Sequence, residues 1–401
     1  MSHLLLTRRI RSSADVARVR RLVAFLPLIL TLSVPATAGQ SAAPSADLKT
    51  QIGNLSSLDF PTRMNAARLI RRAPAAQAVA ALTEAAAKHP DEFVRYRALI
   101  VLSSFNDRGT PDLVRGLLRD RNDRLREVAY KFLEAHPDPT LATTLLAALQ
   151  TEQAEFVRPA LVGALAALGD NPQVQKALLA ETTRGLDLFR SAVIDALGRH
   201  RGAYAVDAIA GVAALEGPLQ DDAILALGRI GGPRASAALA GIAKPTPDLT
   251  LTVRGAQCLL GEQCDATLKA LADAAAQPNA SSAVIRAAVT ALAAIAMSRN
   301  DPATAALVTL ANRGGNVREQ AMLGFATVAV RNPDHVIGWI DMAPQNVRAA
   351  AIALLKDGFE ELEEDFGEEQ FFATARAFYW KSPDGSSGRN LAAALIQQLE
   401  F

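Results

Sequence analysis

The chain has 401 residues, half of them hydrophobic but only 5% aromatic, with 42 basic and 41 acidic side chains. A core made mainly of Ala and Leu suits closely packed helices and argues against sheets. Charge argues against nucleic acid: without the basic segment 1–38 the remainder carries a net charge of −4, and counterion release needs clustered Lys and Arg.

In chain order, the first element is that basic segment. Arg8, Arg9, Arg11, Arg18, Arg20 and Arg21 precede an apolar stretch from Leu22 to Val34 and then Ala36-Thr37-Ala38. A basic region, a short apolar core and a small-residue site in that order predict a secretory signal peptide, cut between Ala38 and Gly39. The apolar stretch is 13 residues, interrupted by Pro27, which is short for a bilayer span. The alternative is an uncleaved inner-membrane anchor. The expected location is the periplasm or the exterior, with no stable membrane insertion after processing. Residues 39–54 are then expected to be a short linker.

From there a single pattern repeats. An apolar residue followed by Arg recurs at Arg95, Arg126, Arg158, Arg190, Arg254, Arg286, Arg318 and Arg348, with a weaker copy at Arg63. Gln220 fills the slot between Arg190 and Arg254. The steps are then 32, 31, 32, 32, 30, 34, 32, 32 and 30 residues. A near-constant period of this size predicts a solenoid, each unit burying its apolar face against its neighbours.

One unit shows the plan. Pro172 opens a segment with Val174, Ala177 and Leu178 on one face, ending near Gly185. Asp187 offers an N-cap, and Phe189, Ala192, Val193, Ala196 and Leu197 form a helical stripe closed by Gly198. Each unit is therefore two antiparallel helices. Two places interrupt the regularity: the unit at Gln220-Asp221-Asp222, which lacks Arg, and the longer turn Lys244 to Asp248. Cys258 and Cys264, the only cysteines, follow that turn. In an oxidising compartment they form a disulfide candidate. The alternative is one buried thiol and one turn thiol, unpaired. Metal binding is not expected from two Cys with no neighbouring His.

After Gly358 the composition changes. Seven acids between Glu360 and Glu369 precede Phe371, Phe372, Phe378, Tyr379 and Trp380, then a turn and a last helix. Residues 359–401 are expected to cap the solenoid, with acids at a helix N-terminus and aromatics over the last open core face. A docking patch for a basic partner is the other reading.

Phe189-Arg190 with Asp195-Ala196-Leu197-Gly198, the segment Leu219 to Gly232, and Val347-Arg348 through Leu355 resemble the short HEAT-type repeats also called phycobilisome-lyase-like HEAT repeats. The resemblance covers residues 55–358. It implies an all-α, right-handed solenoid of about ten helix pairs, with the second helix of each pair on the concave side. At roughly 9–10 Å per layer, ten pairs would form a curved rod of about 90–100 Å. A row of guanidinium groups can bind phosphates or carboxylates along such a face. The resemblance instead implies a structural ladder, each Arg bonding turn groups, and Asp91, Asp123, Glu155 and Asp187 stand ready as acceptors.

No chemistry is announced. The chain has no His-Glu pair of the kind that holds two irons in one HEAT-like hydroxylase family, and Walker A, G-x-S-x-G and H-E-x-x-H patterns are absent. No cofactor or catalytic residue is expected. The function expected is an exported scaffold binding proteins of the cell envelope through its concave surface. The alternatives are an enzyme or maturation factor with a pocket in the groove, and a structural element self-associating through its aromatic C-terminal module.

Overall fold

The computed structural model describes residues 45–244 and 246–399. The expected signal segment, with its expected cleavage between Ala38 and Gly39, lies outside them. Among the described residues every regular element is helical, and the helices alternate in pairs. First helices are α1 (Ser45–Asn54), α3 (Ala75–Lys88), α5 (Thr110–Leu117), α7 (Ala142–Thr151), α9 (Pro172–Glu181), α11 (Val206–Ala213), α13 (Gly232–Ala240), α15 (Cys264–Ala275), α17 (Asp301–Arg313) and α19 (Pro333–Met342). Second helices are α2 (Phe60–Arg72), α4 (Glu92–Ser103), α6 (Asp123–Ala135), α8 (Arg158–Ala166), α10 (Asp187–Arg199), α12 (Gln220–Ile230), α14 (Pro247–Leu259), α16 (Ser282–Ala296), α18 (Asn316–Arg331) and α20 (Gln345–Leu362). Two further helices, α21 (Asp365–Lys381) and α22 (Ser387–Leu399), complete the chain. None of the described helices is long and apolar enough to cross a membrane.

Local chemistry sets the boundaries. Asp59, Asp91, Asn122, Asn171, Ser281 and Asn300 each accept a bond from a first-turn amide, satisfying donors that the helix itself leaves unpaired. At α10 the sequence reading is one residue out: Leu186 is the cap, and Asp187 is the first helical residue. Gly231 and Gly232, at φ +78° and +84°, make the sharp turn from α12 to α13 that a side chain would strain.

Two expectations need correction. The segment 39–54 is not a plain linker, because α1 begins at Ser45 and buries Leu48, Ile52 and Leu55 against α2, α3 and α4. The open rod is also not what forms. Second helices from α4 to α20 pack side by side as an inner layer, and small residues let them approach closely. A Cβ added to Gly228 would stand 2.7 Å from the Ala256 carbonyl oxygen, and one on Gly255 would stand 2.6 Å from Ala291 Cβ. An inner layer tighter than the outer one bends the stack at every step. Over ten pairs the bend accumulates until the ends meet.

The meeting is made by α21. Its Glu369 pairs with Arg71 of α2, Gln370 Nε2 donates to Ser103 Oγ of α4 at 2.8 Å, and Glu364 just before it pairs with Lys131 of α6. Phe366 enters the core cluster built by the first repeats. On its other side α21 packs on α18, α19 and α22, with Phe371 and Phe372 set edge-to-face against Phe359.

Candidate functional site

The recurrent arginines lie near the start of the second helices, except Arg254 in the middle of α14, and most of them work on their own scaffold. Arg95 Nε donates to the Ala86 carbonyl at 3.1 Å, Arg190 Nε to Thr182 at 3.0 Å, Arg318 Nη1 to Ala311 at 3.2 Å and Arg348 Nη2 to Asp341 at 2.6 Å. Each acceptor lies at the end of the preceding first helix, where a cation suits the helix dipole. Gln220 does the same job without charge, its amide reaching the Ala213 carbonyl at 3.0 Å. Arg63 is tied to the Ser57 carbonyl at 2.9 Å, while Arg254 and Arg286 are exposed.

The acidic partners differ from those expected. Arg190 pairs with Asp187 at 3.0 Å, but Arg95 reaches Asp120 at 2.6 Å and Arg126 reaches Glu152 at 2.7 Å. Arg158 lies 3.7 Å from Glu181. These acids stand 25, 26 and 23 residues downstream, at the end of the next repeat's first helix. The arginine therefore staples one repeat to the next, a role invisible to a search for acids just before it. Asp91 is spent as an N-cap, Asp123 is half-buried in the first turn of α6, and Glu155 is exposed.

Cys258 and Cys264 are joined across the turn between α14 and α15, with Cα atoms 4.4 Å apart. Among the described residues no group of three or more His, Cys, Asp or Glu is placed to hold a metal.

The centre of the inner layer is charged. Glu134 of α6 accepts from Arg199 and from His200 Nε2 at 3.2 Å, and Asp195 of α10 accepts from Arg199 Nε at 2.9 Å and Arg229 Nη1 at 2.6 Å. Burial alone would raise Glu134, but the His200 bond and the charges of Arg199 and Arg331 outweigh it and hold it at about 2. Burial is likewise outweighed at Asp195 by Arg199, Arg229 and Arg331, again giving about 2.

A cavity of about 660 Å³ lies where the ends meet, between α2, α4 and α20–α21. One wall carries Arg63 and Arg97, stacked on Phe60, Phe93 and Tyr96. The facing wall carries Asp365, Glu368 and Glu369. Glu369 is almost wholly enclosed and paired with Arg71 and Arg376. Glu368 is half-buried and Asp365 is exposed at the cavity's rim. Burial pushes Glu368 up to about 8, helped by the like charges of Asp365 and Glu364.

A second surface runs along the edge formed by the starts of the second helices. Phe93, Phe156 and Leu188 each occupy the position before the apolar–Arg pair, and Leu188 is 75% exposed. Leu58 and Phe60 extend the line at one end, Leu186 and Leu215 at the other, all exposed. Where Arg124 takes the corresponding position, its guanidinium covers the Phe156 ring at 4.4 Å. Arg158 similarly covers Phe189 at 3.9 Å. These contacts place consecutive repeats side by side along one strip. The exposed run stops at mid-chain, where the same position holds Pro218, Thr252, a half-buried Val284, Asn316 and Asn346.

Residues 52–134 match a family model described as HEAT repeats. Residues 52–134 carry HEAT repeats. No curated protein sequence matches it. Among solved structures, human deoxyhypusine hydroxylase in complex with glycerol is similar at 21% identity, covering 63% of this chain and 96% of that one, with a TM-score of 0.29. The CpcE–CpcF complex of phycocyanin lyase from Nostoc is similar at 21% identity, with 64% and 96% covered and a TM-score of 0.35. Yeast importin-beta is similar at 14% identity, with 89% and 57% covered and a TM-score of 0.41. Likeness at this level is one of helical-repeat fold alone.

The edge strip is hard to see in the sequence because the periodic signal is carried by the other member of each motif, the recurrent Arg. The signal stands two residues before the Arg: a large apolar side chain at 93, 156 and 188, outside the buried stripe.

Proposed function

We propose that the chain is an exported protein-binding scaffold that takes its partner along the edge strip of its first five repeats. The carrying observation is that exposed Phe93, Phe156 and Leu188 hold the same position in the second, fourth and fifth repeats, with Arg124 of the third repeat lying over the Phe156 ring. Isolated exposed apolar residues are ordinary; a contiguous row of them on a folded surface marks contact with another molecule. The concave surface, where binding was first expected, is a poorer seat. Over the first repeats it is covered by α21, and at its centre it is closed by the Glu134–Arg199–Asp195 network. The sequence of residues 1–38 supports export and hence a partner among envelope proteins.

A photo-crosslinking amino acid placed at Phe93, Phe156 or Leu188 tests this in cells. The proposal expects the same few proteins captured from all three positions, and none from Gln77 on the opposite layer. Equal capture from Gln77, or none from the strip, would overturn it.

A second reading, an enzyme or maturation factor holding a small molecule, has the cavity beside Glu368 in its support. Loss of a measured activity in Glu368→Gln, with the strip intact, would favour that reading.

A further inference from the structure

The seam between α21 and the first repeats is an interface between residues far apart in the chain. Its ties join Arg71 to Glu369, Lys131 to Glu364 and Ser103 to Gln370, pairs separated by 298, 233 and 267 residues. Nothing covalent near the seam decides which copy of the chain supplies each side.

The two faces are complementary in charge. The first repeats present Arg63, Arg71, Arg97 and Lys131, while the opening of α21 presents Glu364, Asp365, Glu368 and Glu369. The two sides of α21 also differ in chemistry. Toward α18–α20 it buries Phe371 and Phe372 in an aromatic cluster, and Gly367 lies against Val330. Toward the first repeats it makes ion pairs around the cavity, with Phe366 as an apolar anchor and the Phe372 ring beneath the Arg71 guanidinium. α21 packs on α18, α19 and α22 of its own end but on α4 at the seam, so parting at the seam breaks the smaller of its two packed faces.

We propose that the basic face of α2, α4 and α6 is a docking surface for α21 of a second copy, so that this chain forms dimers by exchanging its seam. Exchange replaces each contact by the same contact made between copies, which is why swapped and closed forms differ mainly in concentration dependence. The occupant is a second copy because α21 is the acidic, Phe-bearing helix that this face already fits.

The test uses the unmodified protein. Chains grown with ordinary and heavy nitrogen are mixed, unfolded, refolded together over a range of concentrations, and treated with a zero-length carbodiimide. That reagent joins the Lys131 amine to the Glu364 carboxylate only where the two touch, and peptide mass spectrometry reads which label each side carries. The proposal expects mixed-label 131–364 links, negligible at dilution and increasing with protein concentration. Same-label links alone at every concentration would overturn it, leaving a seam that closes only within one chain. No 131–364 link of either kind would overturn the seam itself, and the exchange with it.

Discussion

The seam and the middle of the solenoid solve one problem, joining helix to helix, by opposite means. In the middle, α10, α12, α14 and α16 approach through Gly and Ala, with Gly198, Gly228 and Gly255 against Ala226, Ala256 and Ala291. Close backbone approach is short-ranged, uncharged and intolerant of added volume. At the seam, long charged side chains meet across a cavity, and their energy depends on ionisation and salt. The same molecule therefore has a joint that responds to size and a joint that responds to charge.

The largest effect is expected from breaking the seam's enclosed pair. Arg71→Ala leaves the Glu369 carboxylate, 2% exposed, with Arg376 as its only remaining cation, beside the Ser104 hydroxyl. A loss of about 3 kcal/mol in urea unfolding is expected, the low end for orphaning one member of a buried pair. Next comes Gly228→Ala in the middle, where the added methyl meets backbone that cannot swing aside. It should cost about 1–3 kcal/mol and leave the salt dependence of unfolding unchanged. Equal salt dependence in the two variants would erase the distinction between the joints.

Proton linkage sharpens the contrast with a smaller effect. Glu368 titrates at about 8 in the fold against an ordinary value of 4.5, so the folded state holds the extra proton. Its contribution is complete below the ordinary value and is lost as pH rises toward 8. Glu368→Gln should flatten stability across that window. The central carboxyls run the other way: Glu134 and Asp195, held at about 2, contribute at neutral pH and lose that contribution as pH falls toward 2. Thermal melts across the two windows, wild type against Glu368→Gln, check both signs.

The smallest stability effect belongs to the edge. Phe156→Ser and Leu188→Ser remove exposed side chains and should change unfolding by less than about 0.5 kcal/mol. Any loss of partner capture in these variants then reports binding and not folding.

The period of the Arg residues made the helical-repeat fold legible, because a side chain that caps the preceding helix must return once per repeat. Gln220 shows that the geometry, and not the charge, is what recurs. Curvature was not legible. It depends on how closely Gly228 and Gly255 let neighbouring helices approach, and a glycine in a helical stripe reads only as a small residue. The acidic run at 360–369 was read as a cap or as a dock for a basic partner. The structure joins the two ideas, since the basic surface it docks on belongs to the first three repeats of its own chain. Sequence gave no means of pairing Glu369 with Arg71, because that contact exists only after ten small bends have added up.

The most direct measurement is a distance across the seam, from spin labels at Gln77 on α3 and Ala377 on α21, both exposed. A solenoid closed on itself predicts one narrow, short distance in dilute solution. A long or broad distribution approaching the roughly 90 Å of an open ten-pair stack would contradict it.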